Sequence, residues 1–277
     1  MTSMIRYTRP MMGNPIASRT GLTEDQMRKF VPAIFADAPG VSRSSRYGFI
    51  PTIEIVNSMR GMGFLPTMAC QTRARSDDAR EAARHVIRFS HPDAKDDGEN
   101  KQEVVLLNSH DGSSSYQLLT GIYRMVCSNG LIAGDTHSKI TVRHTSRAAQ
   151  EVGQASLEMI QGADGVWDVV KAMQEIPMSQ DGLVALGEAA AQLVHPDVEI
   201  DGEDMADWHR HVDNTNPTLW TGLNRVQENA IRGGVRSIRR TDDGPVIART
   251  RAINSVNRSV EVNQNLWTLA EMVLSRM

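Results

Sequence analysis

The chain has 277 residues, an ordinary apolar content with few aromatic side chains, and a formal net charge of −3. This length accommodates one large domain or two small ones. No apolar run approaches the roughly 18 residues that a membrane span needs, and the first residues lack the apolar core of a signal peptide, so we expect a cytoplasmic protein that does not contact membranes.

The two cysteines, Cys70 and Cys127, have no CxxC spacing and stand in apolar or strand-like contexts. This pattern argues against a disulfide scaffold and against a structural zinc site, and it favours buried, reduced thiols. We therefore expect no metal and no other cofactor.

The first predicted helix follows an irregular arm. Residues 1–22 are rich in Met, Arg and Thr and contain two prolines, so we assign them no regular structure. Thr23, followed three residues later by Gln26, forms a capping-box pattern that predicts a helix start. We place the first domain at residues 23–145.

A helix and three strands are predicted next. Thr52 begins a helix whose apolar residues continue to Met59. The segments 64–75, 84–89 and 104–108 have the composition of strands, and the connections between them are too short for a crossover helix, so the strands are antiparallel. We predict an α+β fold with an antiparallel three-stranded meander flanked by helices.

The stretch after the third strand is predicted to be a polar turn and a second helix. Residues 109–112 (SHDG) have turn chemistry, and the apolar residues between 118 and 127 follow helical spacing until SNG at 128–130. Backbone N–H groups converge at a helix N-terminus and attract phosphates and carboxylates. The alternative is that His110 and Asp111 only satisfy the backbone of the turn.

Several stretches carry a resemblance to a known family. They are SHDGSSSYQLLTGIYRMVCSNGL at 109–131, YGFIPT and GFLPTMACQTRAR between 47 and 75, and LNRVQENAIRGG at 223–234. In these motifs, and over about residues 20–277, the chain resembles the YfjQ/YafZ family, a domain of unknown function in phages, prophages and plasmids. The resemblance implies a cytoplasmic bacterial protein of a mobile element, and it implies no particular activity.

A second resemblance is one of pattern alone. A helix, a three-stranded meander with arginines and a second helix resemble the core of single-strand annealing proteins of the RecT/Red-beta class. Those proteins bind the backbone of single-stranded DNA in a basic groove and assemble into rings or filaments. By analogy, the resemblance implies an annealing-protein-like core, a single-stranded DNA partner and a homo-oligomer.

The second half of the chain, residues 146–277, is predicted to be mainly helical, after two short strands near residues 132 and 139–144. Two glycines interrupt the first of its helices. Apolar spacing places the helices at 147–175, 183–194, 218–232 and 263–277.

Charge is distributed unevenly along this half. Residues 151–215 hold fourteen acidic and two basic residues, a net charge of −12, so the rest of the chain carries +9. From Arg225 to Arg258, eight arginines stand against three acidic residues, and the Ser, Thr, Asn and Gly between them predict an exposed loop over 232–258. Such arginines contact phosphates without reading sequence; a surface loop without a ligand is the alternative.

We therefore predict a DNA-binding protein of a mobile genetic element that is not an enzyme. It would bind or anneal single-stranded DNA during recombination, without sequence preference. Tyr116 is the candidate for stacking on a base. The candidates for phosphate contact are arginines of the meander, of a later strand and of the loop: Arg73, Arg75, Arg84, Arg88, Arg143, Arg232, Arg236, Arg239 and Arg240.

Two other functions stay open. The acidic segment suits an anti-defence or regulatory factor that docks on a basic protein or mimics nucleic acid. A metal-dependent hydrolase would use His110 and Asp111, with Asp135 and His137 nearby, because catalytic metals bind where such side chains converge. The chain has no Walker A loop, no HExxH motif and no nucleophile elbow.

Overall fold

The computed structural model describes the chain in two compact units. The first unit takes its described residues from 16–122 and 139–163, and the second takes them mainly from 164–277. Secondary structure in both units mixes helices and antiparallel strands, so the α+β class is confirmed. The structure describes residues 16–38, 49, 51–72, 80–110, 116–124, 139–142, 147–207, 217–253 and 255–277.

The helices of the first unit include both of those predicted before residue 62. The capping box is confirmed, because the Thr23 hydroxyl accepts from the Gln26 N–H and the Gln26 side chain accepts from the Thr23 N–H. A helix does begin at Thr52, with Pro51 as its N-cap residue. The helices are α1 (Glu24–Phe30), a 3-10 helix (Pro32–Phe35), α2 (Thr52–Gly61) and α3 (Ala148–Gln161).

A six-stranded sheet runs through the first unit, where the sequence predicted a three-stranded meander and a further strand at 139–144. Each strand is a neighbour of the next in the chain, and the pairings that the structure describes are antiparallel. The strand predicted at 139–144 is confirmed at Lys139–Val142, and the one predicted near residue 132 lies outside the described residues. The added strands are Ile16–Ala17, within the arm expected to be irregular, and Tyr116–Arg124. The strands are β1 (Ile16–Ala17), β2 (Leu65–Gln71), β3 (His85–Ser90), β4 (Asn100–Asn108), β5 (Tyr116–Arg124) and β6 (Lys139–Val142).

The predicted helix at 118–127 is wrong, because residues 116–124 form strand β5. Every residue of β5 from Leu118 to Ile122 is buried. A strand buried on both faces is a continuous apolar run, which helical spacing also matches by chance. The β-branched Thr120 and Ile122 favour the strand. Residues 116–124 therefore provide no helix N-terminus, and the anion site predicted there loses its basis.

The core of the first unit lies where α2 and α3 pack against each other and onto the sheet. Ile55 and Met59 of α2, Val152 of α3, and Phe89 and Leu106 of the sheet are all fully buried. The side-chain amide of Gln102 on β4 donates to backbone carbonyls near the end of α3. Helix α3 is therefore part of the same core as the strands.

The second unit contains five helices and a hairpin among its described residues. The predicted helix at 218–232 is confirmed, capped by the Thr218 hydroxyl and ended by Gly233, whose φ of 63° disfavours a side chain. None of the described helices is both long and apolar enough to cross a membrane. The elements are α4 (Asp164–Glu175), α5 (Gln180–Val194), α6 (Gly202–Ala206), α7 (Leu219–Arg232), β7 (Arg236–Thr241), β8 (Gly244–Arg249) and α8 (Val256–Leu274).

The structure changes the extent of several predicted helices and adds one helix. The long helix at 147–175 is two helices, broken after Gly162. The last helix begins at Val256 rather than at 263. The acidic run at 199–207 includes the short helix α6, which was not predicted and whose start is capped by Asp201.

Two close approaches position the helices of the second unit. The rings of Trp220 and Trp267, both buried, meet edge to face with their centroids 6.4 Å apart, a favoured aromatic geometry. Gly187 of α5 lies against the backbone of Gly202 so closely that a Cβ atom on either residue would overlap the other helix. The acidic helix α6 is thereby packed tightly onto α5.

Candidate nucleic-acid interface

The arginine-rich segment predicted to be a loop is instead an ordered hairpin. Strands β7 and β8 pair from Arg236↔Arg249 to Thr241↔Gly244, and the turn consists of Asp242 and Asp243. Gly244 has a φ of 111°, which a side chain disfavours. The loop prediction was wrong because a strand with one buried face has apolar residues at every second position. Here arginines and hydroxyl side chains occupy many of those positions.

A bridge to the acidic segment holds one edge of the hairpin. Ile238 of β7 donates its N–H to the Glu199 carbonyl and accepts from the Glu199 N–H, both at 2.8 Å. Because both backbone groups of Ile238 point to Glu199, Ile238 and its partner Ile247 form a pair without hydrogen bonds between them. The hairpin is thus anchored through β7, and β8 is its outer strand.

Two arginines stand directly opposite each other on one face of the hairpin. Arg236 of β7 pairs with Arg249 of β8, two positions from the Ile238–Ile247 pair, so it too is a pair without hydrogen bonds. Side chains are closest in such pairs, and like charges placed opposite each other are destabilising. Both residues are exposed, and the Arg249 guanidinium also donates to the Gly234 carbonyl at 2.6 Å. An anion that contacts both arginines would offset their repulsion.

The same face carries an ion pair with the acidic segment. The guanidinium of Arg240 contacts the carboxylate of Glu199, with Nε to Oε1 at 2.6 Å and Nη2 to Oε2 at 3.2 Å. This contact lowers the pKa of Glu199 and raises the pKa of Arg240. Both side chains are exposed, so solvent screens the pair and a phosphate can compete with the carboxylate.

The hairpin exposes two arginines that sequence reasoning counted but did not choose. Arg249 lies opposite Arg236, and Arg251 follows the end of β8. The alternation of Arg236, Ile238 and Arg240 was the signal that could have shown a strand and a pairing partner for each. The exposed arginines of the segment are Arg236, Arg239, Arg240, Arg249 and Arg251.

Arg88 of the sheet is held by an acidic neighbour on β4. Its guanidinium forms an ion pair with Glu103, whose other carboxylate oxygen accepts from the Thr67 hydroxyl at 2.7 Å. The side chain of Arg88 is 13% exposed and that of Glu103 is 5% exposed. If one charge of such a pair is removed, the other is left buried without a partner, which is strongly destabilising. This contact is therefore structural and does not favour phosphate binding.

Three further candidates are buried or half-buried. Tyr116 is fully buried in the core of the first unit, so its ring cannot stack on a base without a rearrangement. Arg232 pairs with the buried Glu228 one helical turn earlier, at 3.2 Å, and Arg84 is half-buried. The candidates Arg73, Arg75 and Arg143 lie outside the described residues.

A buried polar cluster joins α2 to the end of the sheet. The Thr52 hydroxyl oxygen lies 2.9 Å from Nε2 of His85, 3.2 Å from Nε2 of His110 and 2.9 Å from Nδ2 of Asn108. All four residues are at most 1% exposed. His85 and Asn108 are direct partners on β3 and β4, and neither was chosen from the sequence, where an isolated His or Asn carries no signal.

The hydrogen bonds of this cluster assign each proton. Nδ1 of His85 faces the Ala83 carbonyl at 2.9 Å, so it carries the hydrogen, and burial, with the charge of His110, lowers the pKa of His85 to about 3. A neutral His85 then accepts the Thr52 proton at Nε2, and Thr52 accepts from Asn108 and His110. One donor and two acceptor sites exhaust the hydroxyl, and Thr52 is fully buried, so its described contacts hold the helix to the sheet.

Of the residues named for the hydrolase alternative, the structure describes His110. His110 is turned into the buried cluster, and its ring packs against His85 and Phe49. No group of three or more His, Cys, Asp or Glu side chains suited to a metal occurs among the described residues. Asp111, Asp135 and His137 lie outside them. Burial raises the pKa of the Cys70 thiol to about 12, so this thiol is protonated and unreactive.

Comparison with known proteins gives the relationships of the chain. Residues 41–267 match the family described as a domain of unknown function (DUF932). The chain belongs to this family. Two relatives, UPF0380 protein YafZ and UPF0380 protein YfjQ of Escherichia coli (strain K12), are each 34% identical over 258 residues, which cover 92% of this chain and 93% of theirs. The resemblance to the YfjQ/YafZ family is thereby confirmed, and no solved structure matches the chain.

Proposed function

We propose that this DUF932 protein binds single-stranded DNA without sequence preference, through the exposed face of its β7–β8 hairpin. On this face lie the pairs Arg236–Arg249, Ile238–Ile247 and Arg240–Pro245. The directly opposed Arg236 and Arg249 are the observation that carries the proposal. Guanidinium groups bind phosphate bidentately, and the pair is a ready site for one backbone phosphate.

The apolar pair between the arginines supports a single strand over a duplex. Ile238 and Ile247 stand between the Arg236–Arg249 pair and Arg240, and Ile247 is 65% exposed. A single strand presents both its phosphates and its unstacked bases, so it can meet charge and apolar surface together. In a duplex the bases are stacked inside, and only the arginines would have a partner.

A role in recombination or annealing, on a mobile element, is the finer part of the proposal. It rests on the resemblance to phage, prophage and plasmid proteins and on the analogy with annealing-protein cores. That analogy is weaker than the sequence suggested, since a strand follows the first strands where a second helix was predicted. The hairpin is therefore the stronger support for DNA binding.

A binding titration with labelled oligonucleotides tests the proposal. Single strands of several sequences and the matching duplexes are titrated with the full chain across a salt series, and the size of each complex is measured. We expect similar affinities for all single strands, weaker duplex binding, and affinity that falls as salt rises, because each phosphate contact releases counterions. Absence of binding at low salt would overturn the proposal. Binding to single strands leads to an annealing assay.

A second candidate is docking on a basic protein through the acidic segment. All but Asp204 of the acidic side chains between residues 151 and 207 are exposed, so their summed negative charge faces the solvent. The titration separates the two candidates. A protein that ignores oligonucleotides but binds a basic protein such as a histone mixture, and loses that binding in salt, would favour the acidic surface.

A further inference from the structure

The outer edge of β8 has backbone groups that point away from the hairpin. Ile238 gives both of its backbone hydrogen bonds to Glu199, so the N–H and C=O of its partner Ile247 point outward, away from β7. Arg249, two residues on, has the same orientation. No described residue forms a backbone hydrogen bond with these outward groups. An edge of this kind is a template for another strand.

Apolar side chains accompany this open edge. Val246 is 51% exposed and Ile247 is 65% exposed, and both belong to the small set of large apolar side chains that the described residues leave in solvent. They lie on opposite faces of β8 because successive side chains alternate. A strand added at this edge would cover both of them and use the outward N–H and C=O of Ile247.

The geometry points to a second copy of this chain as the occupant: β8 pairs with β8 of the other copy, antiparallel, across a two-fold axis at Ile247. The two ends of β8 carry opposite charge, with Asp242 and Asp243 before it and Arg249 and Arg251 at its end. Antiparallel pairing brings each acidic turn to the basic end of the other copy, whereas parallel pairing would set like charges together.

The register follows from the backbone. A residue on a two-fold axis exchanges both hydrogen bonds with its own copy, and this requires outward N–H and C=O groups, which Ile247 has and Val246 does not. Arg249 then donates its N–H to the carbonyl of Pro245 in the other copy. Pro245 has no N–H to donate, but it lies near the end of the paired segment, where proline is tolerated.

The resulting four-stranded sheet would double the face proposed for DNA. The central row would contain Ile238 and Ile247 from both copies, with arginine rows on either side. The pairing does not depend on the proposed function, since it rests on the edge of the hairpin alone. It would nevertheless give two hairpins one continuous surface along which a single strand could run.

The mass of the full-length protein, measured without nucleic acid by analytical ultracentrifugation, is the first test. We expect twice the chain mass of 30.6 kDa at high concentration. Ile247→Pro removes the outward N–H while leaving the hydrogen bonds between β7 and β8 intact. This variant should therefore have the mass of a single chain. Ile247→Thr keeps the N–H and the β-branched shape, and it should stay dimeric. Circular dichroism checks that both variants are folded.

Cross-linking tests the register. With Cys at 247, the two thiols meet at the axis within the Cα separation that a disulfide spans, so mild oxidation should give a covalent dimer. With Cys at 246, the two thiols lie on a diagonal that is too long, so little dimer should form. The unaltered chain gives the background from its own cysteines. Equal cross-linking of Ile247→Cys and Val246→Cys would overturn the register.

A monomer at every concentration, or a dimer that Ile247→Pro leaves intact, would overturn the pairing itself. Failure of the pairing and failure of DNA binding are distinguishable. If the protein is a monomer and binds oligonucleotides in a salt-sensitive manner, only the pairing is contradicted. If it is a dimer and does not bind oligonucleotides, only the proposed function is contradicted.

Discussion

The hydroxyl of Thr52 lies 2.9 Å from Nε2 of His85 and joins the first turn of α2 to strand β3. Both residues are completely buried, so neither polar group can exchange its partner for water. An unmade hydrogen bond at such a site costs more than a made one contributes. The pair therefore fixes where α2 begins relative to the sheet, and it makes the stability of the first unit sensitive to small changes there.

Thr52→Ala should lower the free energy of unfolding by about 1–3 kcal/mol for each buried polar group that it leaves unsatisfied. The substitution leaves Nε2 of His85 without its donor and Nδ2 of Asn108 without its acceptor. Urea unfolding measures the effect. Thr52→Ser, which keeps the hydroxyl, should recover most of the stability, and Thr20→Ala at an exposed threonine should change little. Equal losses in Thr52→Ala and Thr52→Ser would contradict the assigned hydrogen bonds.

The free energy of unfolding should fall as pH decreases from the ordinary histidine pKa of 6.5 toward 3. Burial lowers the folded-state pKa of His85 to about 3, so in this window the unfolded chain binds a proton that the folded chain does not. One such group changes the folding equilibrium by at most about tenfold per pH unit. Urea midpoints across the window measure the slope, which His85→Asn should reduce. An unchanged slope in that variant would assign the acid sensitivity to other groups.

Arg236→Gln should weaken binding to all single-stranded oligonucleotides alike. Loss of one phosphate contact should make the slope of log affinity against log salt shallower by about 0.7. Stability should not fall, because the substitution removes a like-charge pair. Arg276→Gln, which removes one exposed arginine near the C-terminus, is the control of equal charge. The same loss in both variants would show that overall charge, and not the arginine pair, governs binding.

Glu199→Gln should tighten DNA binding, because the carboxylate that occupies Arg240 is removed. The gain should be at most about fivefold, since an exposed ion pair is weak. Glu203→Gln removes one negative charge from the same acidic segment at another exposed position, and it should have a smaller effect on DNA binding. Fluorescence anisotropy at low salt compares the two. Identical gains would mean that the acidic segment acts through its total charge.

Gly187→Ala should destabilise the second unit, by about 1–3 kcal/mol or more for overpacking, since its Cβ would overlap the carbonyl of Gly202. A backbone atom cannot move aside as a flexible side chain can. Gly165→Ala, in helix α4 with open space around it, should be neutral or slightly stabilising, because alanine favours helix. Thermal unfolding of the two variants measures the contrast, and matching melting temperatures would contradict the close packing of α5 and α6.

Local sequence signals predicted the elements whose start or end is decided by neighbouring residues. The capping box at Thr23 and Gln26, the helix from Thr218 to Arg232 and the stop at Gly233 are all confirmed. Each is stabilised by hydrogen bonds within a few residues, so the information lies in the segment itself. The family relationship is local in the same sense, because it rests on motifs that can be read along the chain.

Local patterns did not predict the strands that are buried on both faces or exposed on both faces. Strand β5 is covered on both sides, so its apolar run matches a helix as well as a strand. Strand β8 is exposed on nearly all of its length, so it lacks the alternation of a half-buried strand. In both cases the pairing partner decides the structure, and that partner is not recorded in the local pattern.

The sequence by itself determined the family, the α+β class, most helices and the concentration of arginine between residues 225 and 258. Only the tertiary structure decided which arginines are available. Arg88 is held by Glu103, whereas Arg236 and Arg249 are set side by side by the register of a hairpin. Composition along a chain records how much charge there is, but burial and cross-strand distances depend on residues far apart in sequence, which only folding brings together.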